Sequence, residues 1–174
     1  NTVKELTQKV CKPWRITIPV GKDSLSMKTI WQKDKKTNLS PQSLIISAFT
    51  KIKNVKKSIT PQLIDSNELS LVYLDLSKTK KRLGGSILSE VTQQTNLETP
   101  NLECIDEFPK IYNYLATKIN KKRIFSFHDI SDGGLIVSAV EMMLAGGCGL
   151  NLDLSKISFL KESSNLFSEE LGLL

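Results

Sequence analysis

Alternating apolar and polar positions predict two strands in the first sixty residues. Isoleucine or valine stands at every second position over 16–20, and a second run, 43–52, is rich in apolar and β-branched residues. The polar stretch between them, 32–42, is predicted to be a loop or the tip of a hairpin. Before the first strand, apolar residues spaced three and four apart predict a helix over 1–11, which we expect Pro13 to end.

Helices and strands are both predicted in the rest of the chain. Helical spacing of apolar positions predicts three helices: one from about Ser86, an amphipathic one within 105–123, and one over 133–147. Alternation or short apolar runs predict three strands: 69–76, 124–129 and 148–155. This mixture along the chain is typical of an α/β or α+β fold.

The composition is that of a folded globular protein. Hydrophobic residues make up 40% and charged residues 24% of the 174 residues, so disorder is not expected. The chain has no apolar run of about 18 residues and no apolar leader, so we predict neither a membrane span nor a signal peptide. The three cysteines have no zinc-site spacing and suit a reducing compartment.

A net charge of +6, with the lysines in clusters, raises the question of whether the chain binds nucleic acid. Basic clusters can bind nucleic acid, so a basic nucleic-acid-binding domain is one alternative. Few aromatic residues lie among the lysines to stack on bases, so solvated lysine-rich loops explain the charge more simply. We therefore regard nucleic acid as an unlikely partner.

The motif HDISDGGL, residues 128–135, concentrates the chemistry of the chain. Ser131 and Asp132 stand where caps of the following helix are expected, and Gly133 and Gly134 let backbone amides approach a phosphate. Asp129 could hold Mg²⁺, which prefers oxygen ligands and often shares phosphate oxygens. Ordinary capping of a strand-to-helix turn explains the same residues. The histidine is expected to be a packed or hydrogen-bonded side chain rather than a metal ligand.

Two further motifs could face an anion. The segment PVGKDSLSMKT follows a predicted strand and offers Lys22 with an aspartate and hydroxyls, although it lacks the glycine and Gly-Lys-Ser/Thr pattern of a Walker loop. Lys22 could meet a phosphate as a point charge. In RLGGS, Gly84 and Gly85 precede a helix, but a left-handed turn explains them equally well.

Taken together, the motifs of this chain resemble one family. IPVGKDSLSMKT, SPQSLIISAF, TPQL, RLGGS, HDISDGGL, EMMLAGGCGL and LFSEELG stand here in the order found in the large form of phosphoribosylformylglycinamidine synthase, also called formylglycinamide ribonucleotide amidotransferase. The resemblance extends over nearly the whole chain and is loose over 92–122. It implies a segment of the second synthase half of a longer enzyme, which fits a chain that begins with Asn1 and ends on apolar residues.

The resemblance implies a fold similar to aminoimidazole ribonucleotide synthetase. Residues 1–63 would be the end of a β-rich, barrel-forming part, and 64–174 the start of an α/β sandwich. The family uses ATP and glutamine to convert formylglycinamide ribonucleotide to the amidine in purine biosynthesis, in the cytoplasm. The partners implied are formylglycinamide ribonucleotide, ATP and glutamine in the full-length enzyme, together with the first synthase half and the glutaminase domain of the same chain. No membrane partner is implied.

The resemblance also assigns roles to residues. Asp129 would ligate Mg²⁺, and Ser131 would contact the nucleotide, with Gly133, Gly134 and Lys22 as further nucleotide-binding candidates. The implied cofactors are Mg²⁺ and ATP or ADP, and this half of the family resembles the one that holds a structural ADP. No residue is assigned a catalytic role, and the fragment alone is expected to be inactive. A nucleotide-stabilised structural module without turnover remains an alternative.

Overall fold

The computed structural model describes residues 2–22, 27–33, 35–40, 44–155, 157 and 162–174. The chain divides into two units, Asn1–Lys53 and Asn54–Leu174, each described by itself below. Residues 54–63 belong to the second unit, where the Leu63 amide donates to the Met142 carbonyl at 3.5 Å. The division at 63/64 into synthetase-like subdomains stays a prediction. No described helix has the length and apolar character needed to cross a membrane.

A helical segment opens the first unit and continues past the predicted stop. Helix α1, Thr2–Leu6, leads into a π-helical turn, Thr7–Cys11, and then into a short helix α2, Lys12–Trp14. The expectation that Pro13 ends the helix was wrong. Pro13 stands in the first turn of α2, where its fixed φ and its missing amide donor are tolerated. The helix ends instead at Arg15, which takes a left-handed conformation with φ 55°.

The hairpin of the first unit overlaps the predicted polar loop or hairpin tip, 32–42, only in part, because its first strand precedes that segment and its second strand lies within it. Strand β1, Lys28–Trp31, pairs antiparallel with strand β2, Lys36–Leu39. The strands predicted over 16–20 and 43–52 were wrong for the residues that the structure describes, which form no strand there. A β-strand needs a neighbour for its backbone groups, and apolar alternation alone does not supply one. No barrel is seen within the described residues.

Three short extended segments pair in the second unit. Strand β3, Leu74–Asp75, pairs antiparallel with strand β4, Gly172–Leu173. On the other side of β4, Asp129 forms an isolated bridge with Leu173, while the His128 and Leu174 backbones exchange hydrogen bonds of 2.9 and 2.8 Å. The C-terminal segment therefore lies between two partners and holds the start of HDISDGGL in place.

The predicted strands of the second unit are shorter than the sequence pattern or missing. Of 69–76 only Leu74–Asp75 is a strand, and 124–129 forms a single β-bridge at Asp129 instead of a strand. The prediction over 148–155 was wrong, since this segment forms no strand. Its alternating leucines, Leu150, Leu152 and Leu154, pack against the hydrophobic core. Alternation thus reflects burial of one side of an extended chain without a hydrogen-bonded neighbour.

The predicted helices of the second unit are all present. Helix α3, Ile87–Val91, begins after Ser86, whose hydroxyl accepts from the Ser89 amide at 3.2 Å. Helix α4 is Phe108–Asn120, and helix α5 is Gly134–Gly146. Together with the small sheets, they agree with an α/β class. Short 3-10 helices lie at Val55–Lys57 and Ser163–Phe167.

The start of α5 differs from the prediction that Ser131 and Asp132 cap it. The cap position is Gly133, with φ 82°, and no side chain caps the helix there. The Ser131 carbonyl accepts from the Gly134 amide at 3.0 Å, so a turn precedes the helix. That turn needs a left-handed residue at Gly133, and this moves the first helical residue beyond the reach of the two predicted caps.

The hydrophobic core of the second unit lies beneath α5. Its buried members are Ile130, Leu135, Ala139, Met142 and Leu174. Three of them come from α5, and the other two flank the paired segment around Asp129. Burial of these side chains therefore fixes the HDISDGGL turn between α5 and the C-terminal segment.

Candidate functional site

Asp129 is presented to solvent by a well-held backbone. Its carbonyl accepts hydrogen bonds from the His128 ring at 2.7 Å and from the Ser138 hydroxyl at 3.1 Å. Its side chain is 67% exposed, with Oδ1 lying 3.3 Å from His128 Nδ1. A carboxylate in such a position is available to an ion while its main chain stays fixed.

His128 is a hydrogen-bonded side chain, as expected from the sequence. Its Nε2 lies 2.9 Å from Oε2 of Glu141, in the middle of α5, and its Nδ1 faces the Asp129 carbonyl. Among the residues that the structure describes, no three His, Cys, Asp or Glu side chains are grouped so as to hold a metal. Asp129 could therefore supply only part of a Mg²⁺ shell, and the rest would come from other oxygens.

The amide of Gly133, proposed from the sequence as a phosphate contact, has an acceptor within the chain. It donates to Glu169 Oε1 at 2.8 Å. The amide of Ile87, the first residue of α3, donates to the same oxygen at 2.8 Å. One carboxylate oxygen of Glu169 thus accepts hydrogen bonds from the N-terminal amides of two helices. Negative charge is stabilised at such helix N-termini.

Glu169 belongs to a tripeptide, residues 168–170, that we call the SEE segment. The buried Ser168 hydroxyl donates to the Arg82 carbonyl at 3.1 Å. The Glu170 side chain is 1% exposed, and its Oε2 accepts from Arg82 Nη2 at 2.9 Å. The Arg82 amide also donates to Glu170 Oε1 at 3.3 Å. All three residues of the SEE segment therefore contact the stretch 82–87.

Arg82 forms ion pairs with two carboxylates of this region, those of Glu170 and Glu103. The hydrogen bond to Glu170 raises the pKa of the Arg82 guanidinium, which also lies 3.0 Å from Glu103 Oε1. The hydrogen bond from Lys80 lowers the pKa of Glu103. A buried carboxylate such as Glu170 would be costly without this partner, so Arg82 and Glu170 hold the RLGGS and LFSEELG motifs together.

A second polar cluster surrounds Asp75 in β3. Asp75 Oδ1 accepts from the Ser77 hydroxyl at 2.6 Å, the Lys81 ammonium at 3.0 Å and the Tyr73 hydroxyl at 3.2 Å. Burial opposes ionisation of Asp75, but the hydrogen bonds from Ser77 and Lys81 outweigh it and lower its pKa. Burial and the Asp75 charge raise the pKa of Tyr73. The cluster stabilises the turn that leads to Arg82.

The glycines of both turns are required by close backbone contacts. A Cβ on Gly134, where φ is +71°, would lie 2.6 Å from the Phe167 carbonyl carbon. A Cβ on Gly84 would lie 2.3 Å from the Leu97 carbonyl oxygen. The phosphate interpretation predicted that side chains would be excluded at Gly133 and Gly134. At Gly134, the nearby backbone of Phe167 is by itself sufficient to exclude a side chain.

The predicted site residues do not all lie in one unit. Asp129, Ser131, Gly133 and Gly134 share one turn of the second unit, whereas the exposed Lys22 belongs to the first. The aspartate and hydroxyls over 23–26 lie outside the described residues. The hydroxyl of half-buried Ser131 makes no hydrogen bond to any described residue.

Sequence reasoning gave no role to Glu169, Glu170 or Arg82. The only signal was that the two consecutive glutamates of LFSEELG stand among apolar residues, where a buried glutamate would need a partner. Glu169 also lines a concavity of about 300 Å³, together with Pro100, Asn101, Leu102, Ile130 and Leu171. Burial raises the pKa of the Cys104 thiol, which disfavours its nucleophilic form.

Two family models match the chain. Residues 1–51 match the model described as FGAR-AT PurM_N-like domain. Residues 69–174 match the model described as AIR synthase related protein, C-terminal domain. The second match contains the two glycine turns, Asp129 and the SEE segment.

Proposed function

The chain belongs to the AIR synthase related family, matched over more than half its length, and from this premise we propose that it is a segment of phosphoribosylformylglycinamidine synthase. That enzyme converts formylglycinamide ribonucleotide to the amidine in purine biosynthesis, with ATP and glutamine as cosubstrates. The order of the two matches, an FGAR-AT-type N-terminal domain followed by an AIR synthase-type C-terminal domain, supports this enzyme among purine-pathway synthases.

The proposed role of this segment is to hold a magnesium nucleotide, with ADP as a structural ligand. The observation that carries the proposal is the exposed carboxylate of Asp129, two residues before Ser131, whose hydroxyl makes no hydrogen bond to a described residue; both precede the N-terminus of α5. Carboxylate and hydroxyl oxygens are suitable partners for Mg²⁺ and phosphate, and a helix start favours negative charge. When bound, Mg²⁺ would offset the phosphate charge.

The residues of the HDISDGGL turn can supply some, but not all, of the contacts that a magnesium nucleotide needs. Asp129 would supply one oxygen to the ion and Ser131 one hydrogen bond to the phosphate. The Gly133 amide points to Glu169 instead, and the Gly134 amide donates to the Ser131 carbonyl. The proposal therefore assigns the phosphate contact to the Ser131 side of the turn. Lys22, which belongs to the first unit, stays a candidate for binding the nucleotide.

The proposal is tested by Asp129→Asn in the intact enzyme that carries this chain. The amide keeps the shape but loses the charge that attracts the ion, so the affinity for Mg-ADP should fall at least about tenfold in calorimetry. Asp132→Asn is the matched control, because it removes the same charge from an exposed residue of the same motif. Unchanged affinity and magnesium content in Asp129→Asn would refute the metal role.

The alternatives have their own readouts in the same preparation. ADP that copurifies, resists dialysis and does not turn over indicates a nucleotide-stabilised structural module. Retention of DNA or RNA that falls steeply with added salt indicates a basic nucleic-acid-binding domain instead. Formation of the amidine by the intact enzyme supports the proposed synthase.

A further inference from the structure

We propose that Glu169 is a positioning residue that fixes the two glycine turns to each other and reserves the Gly133 amide for itself. The carboxylate stands between the RLGGS turn and the HDISDGGL turn, which are separated by about fifty residues of sequence. Its consequence for the ligand rests on the proposed nucleotide function: a bound phosphate contacts Ser131 and does not take over the Gly133 amide.

The first argument is the shared acceptor. Glu169 Oε1 receives the amides of Gly133 and Ile87, both at 2.8 Å. Hydrogen bonds to an ionised acceptor are stronger than those between neutral groups, and here both donors lie at helix starts, which carry partial positive charge. Because the starts of α3 and α5 donate to the same oxygen, their relative position depends on that oxygen remaining between them.

The second argument is that Glu169 cannot move without disturbing its neighbours. Ser168 and Glu170 on either side are buried at 4% and 1% exposure, and both contact Arg82. Beyond them, β4 pairs with β3 on one side and bridges to Asp129 on the other. The backbone that carries Glu169 is therefore held on both sides, so its carboxylate is expected to stay in place. We call the two hydrogen bonds from Gly133 and Ile87 to Glu169 the clamp.

The third argument is electrostatic. A phosphate that took the Gly133 amide would lie in contact with the Glu169 carboxylate, and two anions so close repel each other. Ser131 precedes Gly133 on the side of Asp129, where Mg²⁺ could offset the phosphate charge. The clamp thus directs a phosphate toward Ser131.

Amide hydrogen exchange tests the clamp without any ligand. In Glu169→Ala, the amides of Gly133 and Ile87 should both exchange about tenfold faster or more, because both lose the same acceptor. Glu169→Gln keeps an acceptor oxygen and should restore much of the protection at both amides. Glu90→Ala, which removes an exposed carboxylate from the same helix as Ile87, should leave both amides protected.

Nucleotide binding tests the consequence. Glu169→Ala should bind Mg-ADP more weakly and Glu169→Gln nearly as well as the wild type, in calorimetry on the intact enzyme. Tighter binding of Mg-ADP or inorganic phosphate by Glu169→Ala would overturn the proposal, since the carboxylate would then be a competitor. Independent exchange of the two amides in Glu169→Ala would overturn it as well. If Glu169→Ala does not fold, the Glu169→Gln results decide.

The two failures can be told apart. A wild-type enzyme that binds no Mg-ADP, but whose Gly133 and Ile87 amides respond together to Glu169→Ala, refutes the proposed function and supports the clamp. A wild-type enzyme that binds Mg-ADP, with affinity unchanged in Glu169→Ala despite faster exchange, supports the function and refutes the link between clamp and ligand.

Discussion

At the residue scale, local motifs identify the residues of the turn but not their partners. The oxygen-rich and glycine-rich content of HDISDGGL is visible in the sequence, but the cap predicted at Ser131 or Asp132 lies instead at Gly133, in a left-handed conformation. The contact from Gly133 to Glu169 spans 36 residues, and the contact from Ile87 spans 82. Such contacts depend on the fold of the whole unit, so spacing within a motif could not reveal them.

The left-handed glycine at the start of α5, Gly134, gives a prediction at the same scale. Gly134→Val should destabilise the protein by at least about 2 kcal/mol, because a β-branched residue is strained at φ +71° and its Cβ meets the Phe167 backbone. Urea unfolding measures the loss. Gly85→Val is the matched control, since φ is +77° there with open space around the added Cβ, and its loss should be smaller. Equal losses would mean that only backbone strain matters.

At the element scale, helices were predictable and most strands were not. The helices α3, α4 and α5 follow from local spacing, a serine cap and terminal glycines, and all three are present. Strands depend on a partner elsewhere in the chain. The alternating leucines of 148–155 are packed on the core without such a partner. The pairing of β3 with β4 joins segments about a hundred residues apart, which no local pattern encodes.

The polar cluster at β3 predicts a dependence of stability on pH. The pKa of Asp75 is lowered in the folded protein, so its contribution is complete above the ordinary value of 3.8 and is lost as the pH falls below it. Asp75→Asn should therefore melt at a lower temperature than the wild type at neutral pH. The gap should narrow on acidification, because the protonated wild type also loses its charge pair with Lys81.

Melting temperatures from pH 7 to about pH 2.5 measure this effect. Asp65→Asn is the control, because Asp65 is exposed and lies outside the Asp75 cluster. A gap between Asp75→Asn and the wild type that stays constant over the whole range would contradict the role of the Asp75 charge.

At the scale of the whole molecule, the two units differ in how much they bury. None of the described residues in the first unit is buried, and large apolar side chains such as Ile45 and Phe49 are 88% and 94% exposed. The second unit has a contiguous core beneath α5. Apolar alternation predicted strands in this unit, and the family resemblance implied a β-rich part. Alternation does not report whether those apolar side chains are covered by other residues.

This asymmetry predicts the course of limited proteolysis of the 174-residue chain. Cleavage by a protease requires a local stretch to unfold, and the free energy of that opening is low where few side chains are buried. Trypsin should therefore cut first at lysines of the first unit and near its boundary, such as Lys51 and Lys53, which lie in exposed coil. A fragment that begins near Asn54 and contains α5 should persist, and mass spectrometry identifies its ends.

Lys51→Gln together with Lys53→Gln should remove those two cuts while leaving the lifetime of the C-terminal fragment unchanged. If the lysines of α4 are cut as early as Lys51 and Lys53, the core beneath α5 does not protect the second unit.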